Sequence, residues 1–89
     1  MQLTFTHKKK SLSVDYEGGS GHAILYSVPT DYSDDGYYVA AWQDTEIEPV
    51  PACAAGAVRV LCRVRLESGT DGSMVLKNIE SNEGATCHA

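Results

Sequence analysis

Val58-Arg-Val-Leu-Cys-Arg-Val-Arg-Leu66 is the stretch in which the side-chain pattern of this chain is clearest. Apolar and polar residues alternate over residues 57–67, and a period of two with many β-branched side chains is typical of a half-buried β-strand. The alternation predicts one buried face and one exposed face. The buried set is Val58, Val60, Cys62, Val64 and Leu66, and the opposite set is Arg59, Leu61, Arg63 and Arg65.

Similar short segments occur on both sides of this strand. Residues 69–72 carry two glycines and an aspartate, which predicts a turn and makes 57–80 a hairpin. The predicted strands lie around Leu3 and Phe5, around Leu12 and Val14, and over 22–28, 37–42, 57–67 and 73–79, with a polar turn at 7–10 and a glycine-rich loop at 17–21.

Six short strands at regular spacing predict a mainly β fold, with α+β as the alternative. The expected architecture is a small single-domain antiparallel sheet, barrel or sandwich with at most one short helix. Pro49 and Pro51 predict an extended loop, and residues 52–56 predict one helical turn. We assign residues 1–81 to the domain and 82–89 to a flexible C-terminal tail.

The composition is that of an ordinary soluble globular protein. The 89 residues are 43% hydrophobic and 21% charged. No run approaches the roughly 20 apolar residues of a membrane span, and the N-terminal charges follow the first apolar residues, which is the reverse of a secretory leader. Three cysteines are an odd number at low density, so we expect reduced thiols and a cytoplasmic location in the producing or infected cell.

Charge is distributed unevenly along the chain. Residues 11–58 contain no Lys or Arg, whereas they hold eight acids: Asp15, Glu17, Asp31, Asp34, Asp35, Asp44, Glu46 and Glu48. Charge asymmetry of this kind indicates a partner more than a fold. One interpretation is an acidic surface that docks on a basic protein; the other is that Arg59, Arg63 and Arg65 neutralise the acidic loops in the folded chain.

The functional hypothesis follows from the first interpretation. Tyr and Trp residues lie among the acids, and such aromatics are enriched at the centres of protein interfaces. Carboxylates can occupy the Arg and Lys sites where a partner holds nucleic-acid phosphates. The predicted partner-binding residues are Asp31, Tyr32, Asp34, Asp35, Tyr37, Tyr38, Trp42, Asp44, Glu46 and Glu48.

We therefore expect a small acidic, non-catalytic binding protein that inhibits a nucleic-acid-handling protein or complex. By size and charge it is analogous to phage anti-defence proteins such as the anti-CRISPR proteins. The alternatives are an immunity protein or antitoxin that masks a toxin, and a phage structural module that self-assembles through sheet edges. We expect a monomer or small homo-oligomer that binds neither membranes nor nucleic acid directly, since a net charge of −5 disfavours phosphate contacts.

Other motifs point only weakly to chemistry. Residues 31–36 match the first half of a calcium loop, but Trp42 stands where the bidentate acid is needed, so an Asp-rich turn is the preferred interpretation. Ser20 and His22 are near neighbours in a glycine-rich loop without the setting of a catalytic triad. We predict no enzyme activity, no metal and no cofactor.

The cysteines leave three interpretations open. Free thiols are preferred, a Cys53–Cys62 disulfide is the first alternative, and a metal site is the second. The set Cys53, Cys62, Cys87 and His88 has zinc-ligand types, but it lacks the usual Cys-x-x-Cys spacing.

Overall fold

The computed structural model describes the backbone of residues 1–89 and every side chain except that of Ala55. Within the described residues the chain forms seven strands and one 3-10 turn. They are β1 (Gln2–His7), β2 (Lys10–Asp15), β3 (Gly21–Ser27), β4 (Tyr37–Gln43), the 3-10 turn (Ala55–Ala57), β5 (Arg59–Ser68), β6 (Met74–Ser81) and β7 (Thr86–His88).

The described strands form two antiparallel sheets, so the mainly β prediction is confirmed. One sheet has the order β2-β1-β7 and the other the order β4-β3-β5-β6. The inner face of the four-stranded sheet packs on the three-stranded sheet to form a sandwich. The core between the sheets contains Leu3, Phe5, Tyr16, Ala23, Leu25, Leu61, Cys62, Val64, Leu66, Ala85 and Cys87.

A second apolar cluster lies on the outer face of the four-stranded sheet. Residues 23–26 of β3 are apolar in succession, so β3 has apolar side chains to bury on both faces. The outer cluster contains Ile24, Tyr26, Val28, Ala40 and Trp42. We call residues 44–58 the strap, because this segment runs from the end of β4 to the start of β5 across that outer face.

A β-bulge corrects the predicted faces of β5. Pairing with β3 steps from Leu25–Cys62 to Tyr26–Val60, which leaves Leu61 as the extra residue. An extra residue reverses the alternation, because side chains change face with every residue. Val60 therefore joins Tyr26 in the outer cluster, while Leu61, predicted on the arginine face, is fully buried in the inner core.

The same bulge separates the arginines. Arg63 and Arg65 pair across the sheet with Ile24 and His22, on the outer face. Arg59 instead lies beyond the bulge and forms an ion pair with Glu83 at 3.2 Å. The three arginines thus do not form one stripe.

Two predicted hairpins are confirmed, and the β1–β2 turn is shorter than expected, with Lys8 and Lys9 in place of residues 7–10. Lys8 and Lys9 form the β1–β2 turn with φ values of 48° and 66°, as a two-residue turn with left-handed residues requires. His7, predicted in the turn, ends β1 and is buried. Gly72 adopts a φ of 84° in the β5–β6 turn.

The C-terminal residues differ from the predicted flexible tail. Residues 86–88 form β7, which pairs with β1 through Phe5 and Cys87. Ala85 and Cys87 are buried in the inner core. A three-residue strand is too short to show a period, so only its pairing with β1 reveals it.

Leu61→Ala tests the bulge. We expect a loss of about 2–5 kcal/mol in the free energy of unfolding, because a fully buried leucine leaves a cavity. Ile79→Ala, at a site 54% exposed, is the control and should change stability by less than about 0.5 kcal/mol. Urea denaturation measures both, and equal small effects would contradict the bulged register.

Candidate functional site

The structure divides the predicted partner-binding residues between two ends of the sandwich. β4 has seven residues and spans about 20 Å at a rise of about 3.4 Å per residue. The turn of residues 29–36 lies at the Tyr37 end. The strap begins at the Gln43 end, beside residues 16–20 and the β5–β6 turn.

Three hydrogen bonds join the loops at the Gln43 end. The Gly19 amide donates to the Gln43 Oε1 at 3.3 Å, and the Asp44 amide donates to the Ser20 carbonyl at 3.0 Å. The Ser20 hydroxyl accepts a bond from the Ser68 amide at 3.0 Å. The loop that follows the acidic segment 15–17 therefore meets the start of the segment 44–48, whereas 31–38 lies at the opposite end.

Asp35 is committed to its own turn. Its Oδ1 accepts bonds from the Ser33 hydroxyl at 2.7 Å and the Tyr37 amide at 3.0 Å. These bonds, the Ser33 bond first, hold the pKa of the Asp35 carboxyl below its usual value. Asp31 and Asp34 are exposed on the same turn. The pattern is that of the Asp-rich turn which the sequence favoured over a calcium loop.

The predicted aromatic anchors do not share one surface. The Tyr37 hydroxyl shares a 2.7 Å hydrogen bond with the Nδ1 of buried His7, between the two sheets. Tyr38 lies on the outer face with its ring 6.1 Å from those of Tyr26 and Tyr32. Trp42 is 6% exposed and stacks on His22 with ring centres 5.6 Å apart.

The outer-face arginines fasten the strap. The Arg65 Nη1 lies 2.7 Å from the Asp44 Oδ1, and the Arg63 Nη1 lies 3.1 Å from the Glu48 Oε1. The hydrogen bond from Arg65 is the main cause that lowers the pKa of Asp44. Arginines therefore neutralise Asp44 and Glu48, as the second interpretation of the charge pattern predicts for the acidic loops.

The first part of the strap presents an apolar side chain to solvent. Ile47 is 92% exposed between Glu46 and Glu48. The Glu46 Oε1 accepts a bond from the Gln43 amide at 2.9 Å, which holds the start of the strap in a turn. Glu17 and Asp71 are exposed at the same end. We call residues 46–48 the strap tip.

Sequence reasoning missed Ile47 and Asp71. The signal for Ile47 was present, because an isoleucine between two glutamates and before Pro49 has no strand or helix that could bury it. Asp71 joins the acidic end only because the β5–β6 turn meets Ser20, which the sequence does not reveal.

Acidic side chains at the Gln43 end of the sandwich affect the pKa of Tyr16. Burial is the first cause that raises the pKa of its hydroxyl, and the carboxylates of Asp44 and Glu46 raise it further. The hydroxyl donates to the Gly19 carbonyl at 2.6 Å. Tyr16 therefore supports the loop that carries Glu17.

The histidine and thiol groups do not converge on one site. His22 Nδ1 lies 3.4 Å from the Asp44 carboxylate, while the Ser20 hydroxyl is held by Ser68. Cys53 is on the strap, whereas Cys62 and Cys87 are buried in the inner core on the other side of the sheet. Because the sheet separates the two thiols, Cys53 and Cys62 do not form the disulfide that was the first alternative. Burial, with a smaller contribution from Cys62, raises the pKa of Cys87 to about 12.

The candidate metal ligands are likewise dispersed. Among the described residues, no three His, Cys, Asp or Glu side chains are grouped closely enough to hold a metal ion. In the same part of the chain, no helix has the length and apolar character needed to cross a membrane. Comparisons with protein-family models, curated proteins and solved structures find no match to this chain.

Tyr37→Phe tests the hydrogen bond between the sheets. It leaves the buried His7 Nδ1 without its partner, so we expect a loss of about 1–3 kcal/mol in the free energy of unfolding. Tyr38→Phe is the control. It keeps the ring contact with Tyr26, so it should change the free energy of unfolding very little. Chemical denaturation of both variants distinguishes the two roles, and equal losses would argue against the His7–Tyr37 bond.

Asp44→Asn tests the strap ion pair through its pH dependence. Arg65 lowers the pKa of Asp44 in the folded state, so the unfolded chain takes up the proton first. The stabilisation is present above the unfolded pKa of about 3.9 and is lost as the pH falls through the folded pKa. The variant should therefore lose less stability than the wild type between about pH 5 and pH 2.5. Asp34→Asn is the charge-matched control, and thermal melts across this range that coincide for wild type and Asp44→Asn would contradict the pairing.

Proposed function

We propose that this chain is a small non-catalytic binding protein whose strap tip docks on the basic surface of a protein partner. The observation that carries the proposal is Ile47, which stands 92% exposed between two glutamates. Burying an isoleucine on binding contributes about 1.5–3 kcal/mol, and such a side chain at the centre of a polar rim is the usual anatomy of an interface.

Charge defines the kind of partner. Glu46 and Glu48 flank Ile47 on the strap tip, Glu17 and Asp71 are exposed at the end where the loops converge, and the whole chain has a net charge of −5. A surface rich in Arg or Lys complements this end and speeds association. Proteins that hold nucleic-acid phosphates carry such surfaces, so we propose inhibition of a nucleic-acid-handling protein or complex, as phage anti-defence proteins do.

The location belongs to the same proposal. Cys53, Cys62 and Cys87 are free thiols. Free thiols suit a reducing compartment, so we place the interaction in the cytoplasm. An immunity protein or antitoxin would use the same acidic end against one dedicated toxin.

Self-assembly is the second candidate, and the β6 edge favours it. β6 pairs only with β5 in the described sheets, and Val75 and Ile79 are 48% and 54% exposed on it. However, Lys77 lies in the middle of the strand and a bulge occurs at Ile79, since pairing with β5 steps from Val64–Asn78 to Arg63–Glu80. Both features discourage edge-to-edge pairing.

Affinity capture from nuclease-treated bacterial lysate tests the proposal. We expect the wild type to retain a nucleic-acid-handling protein, and Ile47→Ser to weaken that interaction about tenfold or more. Ile79→Ser, the same change at an exposed site on β6, should have no effect. High salt should also weaken retention.

Purified components then test the inhibition itself. The captured protein should release its DNA or RNA when the wild-type chain is added, and Ile47→Ser should release much less. Two results would overturn the proposal. The first is that Ile47→Ser retains the captured protein as well as the wild type does. The second is that the wild type retains only further copies of itself and that Ile79→Ser abolishes this self-association.

A further inference from the structure

An apolar cleft of about 390 Å³ opens between the strap and the outer face of the four-stranded sheet. This volume is within the usual range of small-molecule sites, about 300–1,000 Å³. Paired strands form its floor and the strap forms its roof. The lining residues are Tyr26, Val50, Pro51, Cys53, Val58 and Val60.

One residue that lines this cleft, Tyr26, carries a hydroxyl group. Tyr26 is 5% exposed, burial raises the pKa of its hydroxyl, and that hydroxyl forms no hydrogen bond with the described residues. Among those residues, His7 Nε2 is the one fully buried side-chain polar atom without a partner. Because the Tyr26 hydroxyl is not among these fully buried atoms, it keeps contact with solvent, and Tyr26 lines the cleft.

The roof is held in place from both sides of the cleft. The Ala52 amide donates to the Tyr32 hydroxyl at 3.1 Å, and Arg63 pairs with Glu48 at 3.1 Å. Pro49 and Pro51 stiffen the segment between these attachments. A cavity with fixed walls needs little rearrangement to receive a ligand, which favours binding.

We infer that this cleft binds a small uncharged apolar molecule that carries one hydroxyl or carbonyl group for Tyr26. The apolar walls exclude a charged ligand, because burying an unpaired charge is costly. The neighbouring charges, Glu48 and Arg63, already neutralise each other. The site is separate from the strap tip, since Ile47 does not line the cleft.

Benzyl alcohol and toluene are matched probes for this inference, because they differ only in the hydroxyl group. In NMR titrations of the whole chain, we expect saturable shifts of amides near Tyr26, Cys53 and Val60 with both probes. Tyr26→Phe should weaken the binding of benzyl alcohol about twofold to tenfold and leave that of toluene unchanged.

Cys53→Trp fills the cleft from the roof and should abolish binding of both probes, whereas Ile47→Trp, outside the cleft, should not.

The rate at which iodoacetamide alkylates Cys53 tests the inference on the wild-type chain. Benzyl alcohol should slow it, since Cys53 lines the cleft.

Three results would overturn the inference. They are the absence of saturable shifts up to the solubility of the probes, alkylation of Cys53 at an unchanged rate, and benzyl alcohol binding that is the same in wild type and Tyr26→Phe.

Discussion

Strand β3 has to bury both of its faces, and the rest of the structure follows from that constraint. Ala23 and Leu25 are fully buried on the inner face, and Ile24 is fully buried on the outer face. The three-stranded sheet covers the first face. The second face has no further sheet in the described chain, so the strap, in which the 3-10 turn Ala55–Ala57 is the one regular element of the described residues, has to cover it.

Covering a sheet with a loop requires attachments that replace a ladder of backbone hydrogen bonds. Arg63 and Arg65 supply them, because both arginines lie on the outer face of β5, where they pair with Glu48 and Asp44. Partly exposed ion pairs contribute little individually, so the strap depends on both pairs together with the hydrogen bond from the Ala52 amide to the Tyr32 hydroxyl. It also carries the features that point to function, namely the exposed Ile47 and the roof of the apolar cleft.

Local periodicity predicted most of the fold. The alternation of Leu3 with Phe5 and the glycine at position 72 specify strands and a turn without knowledge of distant residues. The bulge was hidden because apolar residues continue through Leu61, and β7 was hidden because three residues carry no period. The candidate site was harder, since the ends at which loops meet depend on strand order. The acids of 31–35 and 44–48 are close in sequence, yet seven residues of β4 hold them apart.

The fluorescence of Trp42, the sole tryptophan, tests the central claim that arginine ion pairs hold the strap on the outer face. Trp42 lies on that face, two residues before the strap begins at Asp44, and is 6% exposed. Acrylamide should quench it weakly in the wild type and much more strongly in an Arg63→Ser/Arg65→Ser variant whose circular dichroism shows that the sheets are intact. Equal quenching of the two folded proteins would contradict the account.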